Sequence, residues 1–187
     1  MKKVVLLGDS IRQIGYGKKV PELLGTDYTV WQPTDNCRYA QYTLHGVLEE
    51  WKNGISGADI IHWNNGLWDM SVHPEDDGPL TPLETYAETI LKILRILKQT
   101  TSKIIFATTT PVKKGHPMNN NEIAEKYNSF IIPKLEAEGV LINDLYSLVA
   151  SDLDKYILDS DKIHLTDVGI DVCANAVADK IRSIAEM

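Results

Sequence analysis

Five short runs rich in β-branched and aromatic residues recur along this chain, and each is followed by a segment whose apolar residues fall at helical spacing. The runs cover residues 2–7, 28–32, 59–64, 103–108 and 140–143. The first is almost continuously apolar, which is how a strand covered on both faces of a parallel sheet reads. Strands alternating with helices imply a parallel sheet with helices on both faces, joined by right-handed crossovers. With 187 residues, the expectation is one domain spanning 1–187 and one site.

The helices can be placed by their ends and stripes. Thr81-Pro82-Leu83-Glu84 predicts a helix capped by Thr81, with Pro82 at its first position, running to about residue 99. Leu83, Tyr86, Ala87, Ile90, Leu94 and Leu97 would share its buried face. A second helix should open at Asn120 or Asn121, with Pro133 kinking or shortening it. The last is capped by Thr166 and carries an apolar stripe of Ile170, Cys173, Val177, Ile181 and Ile184.

Composition narrows the function. A hydrophobic content of 43% and a charged content of 24% are those of a soluble globular protein, with no run approaching the roughly eighteen apolar residues of a membrane span. Met1-Lys2-Lys3 precedes too short an apolar stretch for a secretory signal. The net charge of −7 argues against a nucleic-acid partner and favours small neutral or cationic substrates. Cys37 and Cys173 show no paired spacing, and the other histidines, His45, His62, His73 and His116, show no ligand spacing, so no metal is expected and all four read as structural. The two lone cysteines suit a reducing, cytoplasmic setting. Lys113-Lys114 reads as solvent-facing.

In open parallel sheets, sites form at the carboxyl ends of the strands. Ser10 stands there, in Gly8-Asp9-Ser10-Ile11 after the first strand. A serine hydroxyl becomes a nucleophile only when a histidine takes its proton and a third group orients that histidine. Of the five histidines, only His164 has an acidic residue three positions before it, Asp161, in the loop entering the last helix. Each element has a plainer reading alone: Gly-Asp-Ser as a turn, Asp-x-x-His as a helix-entry loop. Their joint placement favours catalysis.

These residues also resemble a known family. Gly8-Asp9-Ser10-Ile11, with Asp161-x-x-His164-Leu165-Thr166-x-x-Gly169 before the last helix, is similar to the first and last blocks of the SGNH (GDSL) hydrolases. The resemblance implies a three-layer α/β/α flavodoxin-like fold with a five-stranded parallel sheet, and hydrolysis of esters, often acetyl groups on sugars, without metal or cofactor. It implies Ser10, Asp161 and His164 as the triad.

The middle blocks depart from that pattern. Asn36-Cys37-Arg38-Tyr39 lacks the expected glycine, so the N–H of Cys37 or Arg38 is the candidate there, beside that of Ser10, for the oxyanion hole. Gly66-Leu67-Trp68-Asp69 has tryptophan where an asparagine is expected, which turns attention to the amides of Asn64 and Asn65. Both cannot face the site if the strand persists, and Asn64 is the expected donor. Trp63 and Trp68 are candidates for stacking on a sugar. The expected function is therefore an esterase acting on small acyl, chiefly acetyl, esters, with acetylated carbohydrate as substrate. The competing readings are a non-catalytic carbohydrate-binding relative and a phosphate- or nucleotide-binding α/β protein. Against the last, Asp9 would stand beside the anion, and neither phosphate-loop spacing is complete.

Overall fold

The computed structural model describes residues 1–186. Its strands are β1 (Lys2–Leu7), β2 (Tyr28–Trp31), β3 (Ile60–Trp63), β4 (Ile104–Ala107) and β5 (Leu141–Asn143). They form one sheet in the order β2-β1-β3-β4-β5, every neighbouring pair parallel. Val4 lies opposite both Val30 and Ile60, and Ile61 opposite Ile104, so the three central strands stack their aliphatic side chains in register. All described β3 and β4 residues are buried, whereas the edge strands β2 and β5 are only partly covered. Burial on both faces explains why the central runs read as continuous and not alternating.

The helices are α1 (Val20–Leu24), α2 (Ala40–Leu48), α3 (Lys52–Ile55), α4 (Leu83–Leu97), α5 (Asn121–Ala137), α6 (Leu145–Ala150), α7 (Leu153–Tyr156) and α8 (Asp167–Ala185). On one side α8 packs against α1, α6 and α7, and on the other α4 packs between α2 and α5. This is a five-stranded parallel sheet between two helical layers, in the flavodoxin-like strand order. Among the described residues no helix is long and apolar enough to cross a membrane.

Two helix ends differ from expectation. The α4 helix starts at Leu83 with Pro82 in the cap position, and Thr81 gives no side-chain cap. The Thr81 hydroxyl donates instead to Gln41 Oε1 at 3.3 Å, while its N–H donates to the Asp69 carbonyl at 2.8 Å and its own carbonyl accepts from the Tyr127 hydroxyl at 2.6 Å. The α5 helix, capped by Asn120, continues past Pro133 to Ala137, so the proline does not end it. Buried Ile131 and Leu135, on either side of Pro133, hold that turn on the core. The α8 cap is as expected, with Thr166 Oγ1 accepting from the Gly169 N–H at 3.1 Å.

The strand order reverses between β1 and β3, since the chain steps from β1 outward to β2 and returns to β3 on the other side. That switch point leaves a crevice at the carboxyl ends of β1 and β3, where loops diverge to opposite faces. Ser10 follows β1 and Asn64 follows β3, so both stand at its rim.

Candidate active site

Beyond β1 the chain turns through Gly8-Asp9-Ser10 into a π-helical turn (Ile11–Gly15) and a short 3-10 turn (Tyr16–Lys18). Asp9 anchors this entry: its carbonyl accepts from the N–H of Arg12 and Gln13, and its Oδ1 accepts from the Ile11 N–H at 2.9 Å. Gly8 is required sterically, because a Cβ there would lie 2.0 Å from Asn64 Oδ1. The Asn64 side chain thus crosses the end of β1, against Gly8.

His164 Nε2 stands 2.9 Å from Ser10 Oγ, and His164 Nδ1 stands 2.9 Å from Asp161 Oδ2. The other carboxylate oxygen of Asp161 accepts the N–H groups of Ile163 and His164, each at 3.0 Å. Burial pushes the Asp161 carboxyl up, but those N–H groups and the imidazole outweigh it and leave it below its ordinary value. The carboxylate is therefore charged near neutrality and can hold the proton-bearing nitrogen of the imidazole. The loop closes through Lys162 at φ 64°, a left-handed conformation seldom taken by a lysine. Its backbone carbonyl accepts from the Lys113 N–H at 2.8 Å, strapping the loop to the one after β4. Lys113 is not solvent-facing: it is 8% exposed, with its ammonium against Asp154 and Asp159.

The remaining candidates separate clearly. The N–H of Cys37 donates to the Gly8 carbonyl at 3.1 Å and that of Arg38 to Asn36 Oδ1 at 2.7 Å, so both are engaged within the protein. Asn65 is engaged as well: its Nδ2 donates to the Arg38 carbonyl and to Thr43 Oγ1, and its Oδ1 accepts from Trp63 Nε1. Trp63 is fully buried, with its ring edge-on to Phe106 at 4.9 Å, and so lies in the core and not in a cleft.

Asn64 has a different environment. Its Oδ1 accepts from the Tyr16 hydroxyl at 2.8 Å, which fixes the amide with Nδ2 directed away from Tyr16. Burial raises the Asp9 carboxyl above its usual value, opposed first by the Asn64 amide and then by the Ile11 N–H and Arg12. An amide NH₂ carries two hydrogens, so one can face Asp9 while the other stays free. Among the described residues, the Ser10 N–H has no hydrogen-bond partner within the protein.

Ser10 and His164 open onto a cleft of about 630 Å³ whose walls include Ile14, Leu67, Trp68, Met118 and Ile163, with Gln13, Asn36, Ser71, His73, His116 and Asn119 among them. Trp68 is 40% exposed there. Among the described residues, no lysine or arginine lines the cleft. Among the described residues no three His, Cys, Asp or Glu side chains are placed to hold a metal ion.

Arg12 is a site residue that sequence reading did not single out. It is 1% exposed, and its guanidinium donates to the carbonyls of Gly8, Pro33 and Asp35, fastening the loop after β2 to the Ser10 turn. Its spacing from Ser10 carries no local signal. Cys37 completes the joint: burial pushes its thiol up to about 11, so it stays protonated, and its sulfur accepts from the Gly8 N–H at 3.2 Å.

No protein-family model matches the chain, and no curated protein matches it in sequence. Solved structures do match it. A catalytic mutant of Axe2, an acetylxylan esterase from Geobacillus stearothermophilus, superposes with a TM-score of 0.79 at 17% identity, covering 96% of this chain and 94% of the other. The lipase/acylhydrolase from Enterococcus faecalis gives a TM-score of 0.76 at 20% identity, covering 98% and 96%. A GDSL-like lipase from Bacteroides thetaiotaomicron gives 0.71 at 15% identity, covering 97% and 88%. With near-complete coverage on both sides, the fold of this chain is that of the SGNH (GDSL) acylhydrolases and acetylxylan esterases.

Proposed function

We propose that this chain is a serine esterase of the SGNH (GDSL) family whose triad is Ser10, His164 and Asp161. The observation that carries the reading is the unbroken hydrogen-bonded series from Ser10 Oγ through both imidazole nitrogens to Asp161. Three side chains from two distant segments meet in the one order that makes a serine nucleophilic. The likeness in fold to acylhydrolases and acetylxylan esterases supports the same reaction class.

In this mechanism Ser10 Oγ attacks the ester carbonyl while His164 Nε2 takes its proton. Asp161 holds the imidazole tautomer and stabilises the imidazolium. His164 then protonates the bridging oxygen of the departing alcohol, and a water repeats the sequence on the acyl-enzyme, releasing the acid and restoring Ser10. Negative charge on the carbonyl oxygen is met by the Ser10 N–H and by Asn64 Nδ2. Asn64 is favoured over Asn65 because every polar atom of the Asn65 side chain is engaged elsewhere. The cleft suits a small acyl ester, and the exposed face of Trp68 suits a sugar, so the proposed substrate is an acetylated carbohydrate. A cleft wall with no lysine or arginine among the described residues disfavours the phosphate-binding alternative. Two buried unpaired cysteines accord with a cytoplasmic setting.

The test is covalent labelling with a fluorophosphonate followed by peptide mapping. Ser10 should carry the label, and Ser10→Ala should lose both label and hydrolysis while melting at the temperature of the unmodified protein. Ester turnover persisting in Ser10→Ala would overturn the assignment.

A further inference from the structure

His116 reads from the sequence as a structural histidine, yet it lines the same cleft as Ser10, His164 and Trp68. Its ring is held by the backbone: Nδ1 accepts from the N–H of Met118 at 3.2 Å and from that of Asn119 at 3.0 Å. Both partners are obligate donors, so Nδ1 carries a lone pair and the ring proton of the neutral imidazole sits on Nε2. Protonating Nδ1 would break both bonds. Among the described residues, Nε2 has no partner within the protein. The loop after β4 thus presents one fixed N–H donor to the cleft.

We propose that His116 is a specificity residue that donates from Nε2 to an oxygen of the substrate's alcohol half, beyond the ester itself. This rests on the esterase reading and adds to it. The oxygens of the ester group are already assigned: the carbonyl oxygen faces the Ser10 N–H and Asn64, and the bridging oxygen must receive the proton from His164. A small acyl group such as acetyl offers no other acceptor. The His116 donor therefore selects alcohols that carry further hydroxyl or ring oxygens over plain alkyl alcohols. A donor that a bound ligand covers and leaves unpaired costs more than the bond itself contributes, so the discrimination is against the poorer ligand. Trp68 on the same cleft supplies an apolar face for the same polyhydroxylated ligand.

The substitution that isolates this role is His116→Asn. Its Oδ1 can keep accepting from Met118 and Asn119, but it has no atom where Nε2 stands, so the melting temperature should hold while the donor is lost. In the first arm, Ser10→Ala and Ser10→Ala/His116→Asn are titrated calorimetrically with monoacetylated xylobiose, which neither variant can turn over. The second variant should bind roughly three- to tenfold more weakly, the range expected for one hydrogen bond. In the second arm, His116→Asn in the otherwise unmodified protein should lower kcat/KM for acetylated xylobiose relative to that for ethyl acetate by a similar factor. Equal affinity in the first arm, or an equal fall for both esters in the second, overturns the proposal, as does failure of Ser10→Ala to bind the ligand at all. Failure of the esterase reading would show separately, as absence of fluorophosphonate labelling and of all turnover, and the calorimetric arm would still read the donor.

Discussion

Asp161 grips His164 twice: one carboxylate oxygen accepts the backbone N–H of His164 at 3.0 Å, while the other meets its ring Nδ1 at 2.9 Å. One side chain thereby fixes both the position of the residue and the rotation of its ring. The spacing of three residues makes this possible, because the chain folds back over the carboxylate through Lys162.

The first prediction follows from that double hold. Asp161→Asn retains an oxygen for the backbone N–H groups but can turn its NH₂ toward Nδ1, forcing the imidazole proton onto Nε2, where the serine proton must go. The turnover number should fall by roughly three to four orders of magnitude with little change in melting temperature. Steady-state kinetics on an aryl acetate check it. A loss of only a few-fold would assign the orienting role to another acid.

The two asparagines after β3 should behave oppositely. Asn64→Ala removes the proposed oxyanion donor and should lower the turnover number by roughly two to three orders of magnitude while the protein still folds. Asn65→Ala strips partners from the buried Trp63 Nε1 and Thr43 Oγ1 and from the half-buried Arg38 carbonyl, and should cost about 2 kcal/mol or more of stability. Urea denaturation and kinetics on both variants separate the effects. Full turnover in Asn64→Ala would remove it from the mechanism.

Asp69 predicts a pH dependence of stability. It is wholly buried, its carboxylate accepting from the Ala40 N–H at 3.0 Å and 3.1 Å, and burial pushes it up to about 7. In the unfolded chain an aspartate titrates near 3.9, so between about pH 4 and pH 7 the folded protein binds more protons at this site. Stability from this group is complete below about pH 4 and is lost as pH rises through about 7, with a slope of at most about 1.4 kcal/mol per pH unit. Asp69→Asn, which keeps an acceptor for Ala40, should become progressively more stable relative to the unmodified protein across that range. Urea midpoints that run parallel from pH 4 to pH 7 would contradict the shift.

The sheet was legible because burial on both faces leaves a mark in a single sequence: Val4 to Leu7, Ile60-Ile61 and Ile104 to Phe106 are apolar without alternation. The meeting of Ser10, Asp161 and His164 was legible from a strand end and a helix entrance, both local features. What escaped depends on contacts between distant segments. Thr81 has every local mark of a cap, yet its hydroxyl turns to Gln41 while its backbone is held by Asp69 and Tyr127. Trp63 and Trp68 are equally aromatic in sequence, and only the register of β3 sends the first into the core. The N–H groups of Cys37 and Arg38 look free until the loop is seen folded onto Gly8 and Asn36. His116 gave no signal, because its role rests on two backbone donors that follow it in a loop without periodicity.

The buried guanidinium of Arg12 recognises the loop after β2 chiefly through main-chain oxygens, those of Pro33 and Asp35, with the Gln32 side chain at 3.3 Å as a lesser contact. Carbonyl oxygens are present whatever residues the loop carries. The segment beside Ser10 can therefore change most of its side chains while keeping its position, and it needs no glycine at 36–39 to stay docked. Arg12 thus shares the docking of this loop with a single side chain inside it, that of Cys37, and leaves the other positions to the main chain.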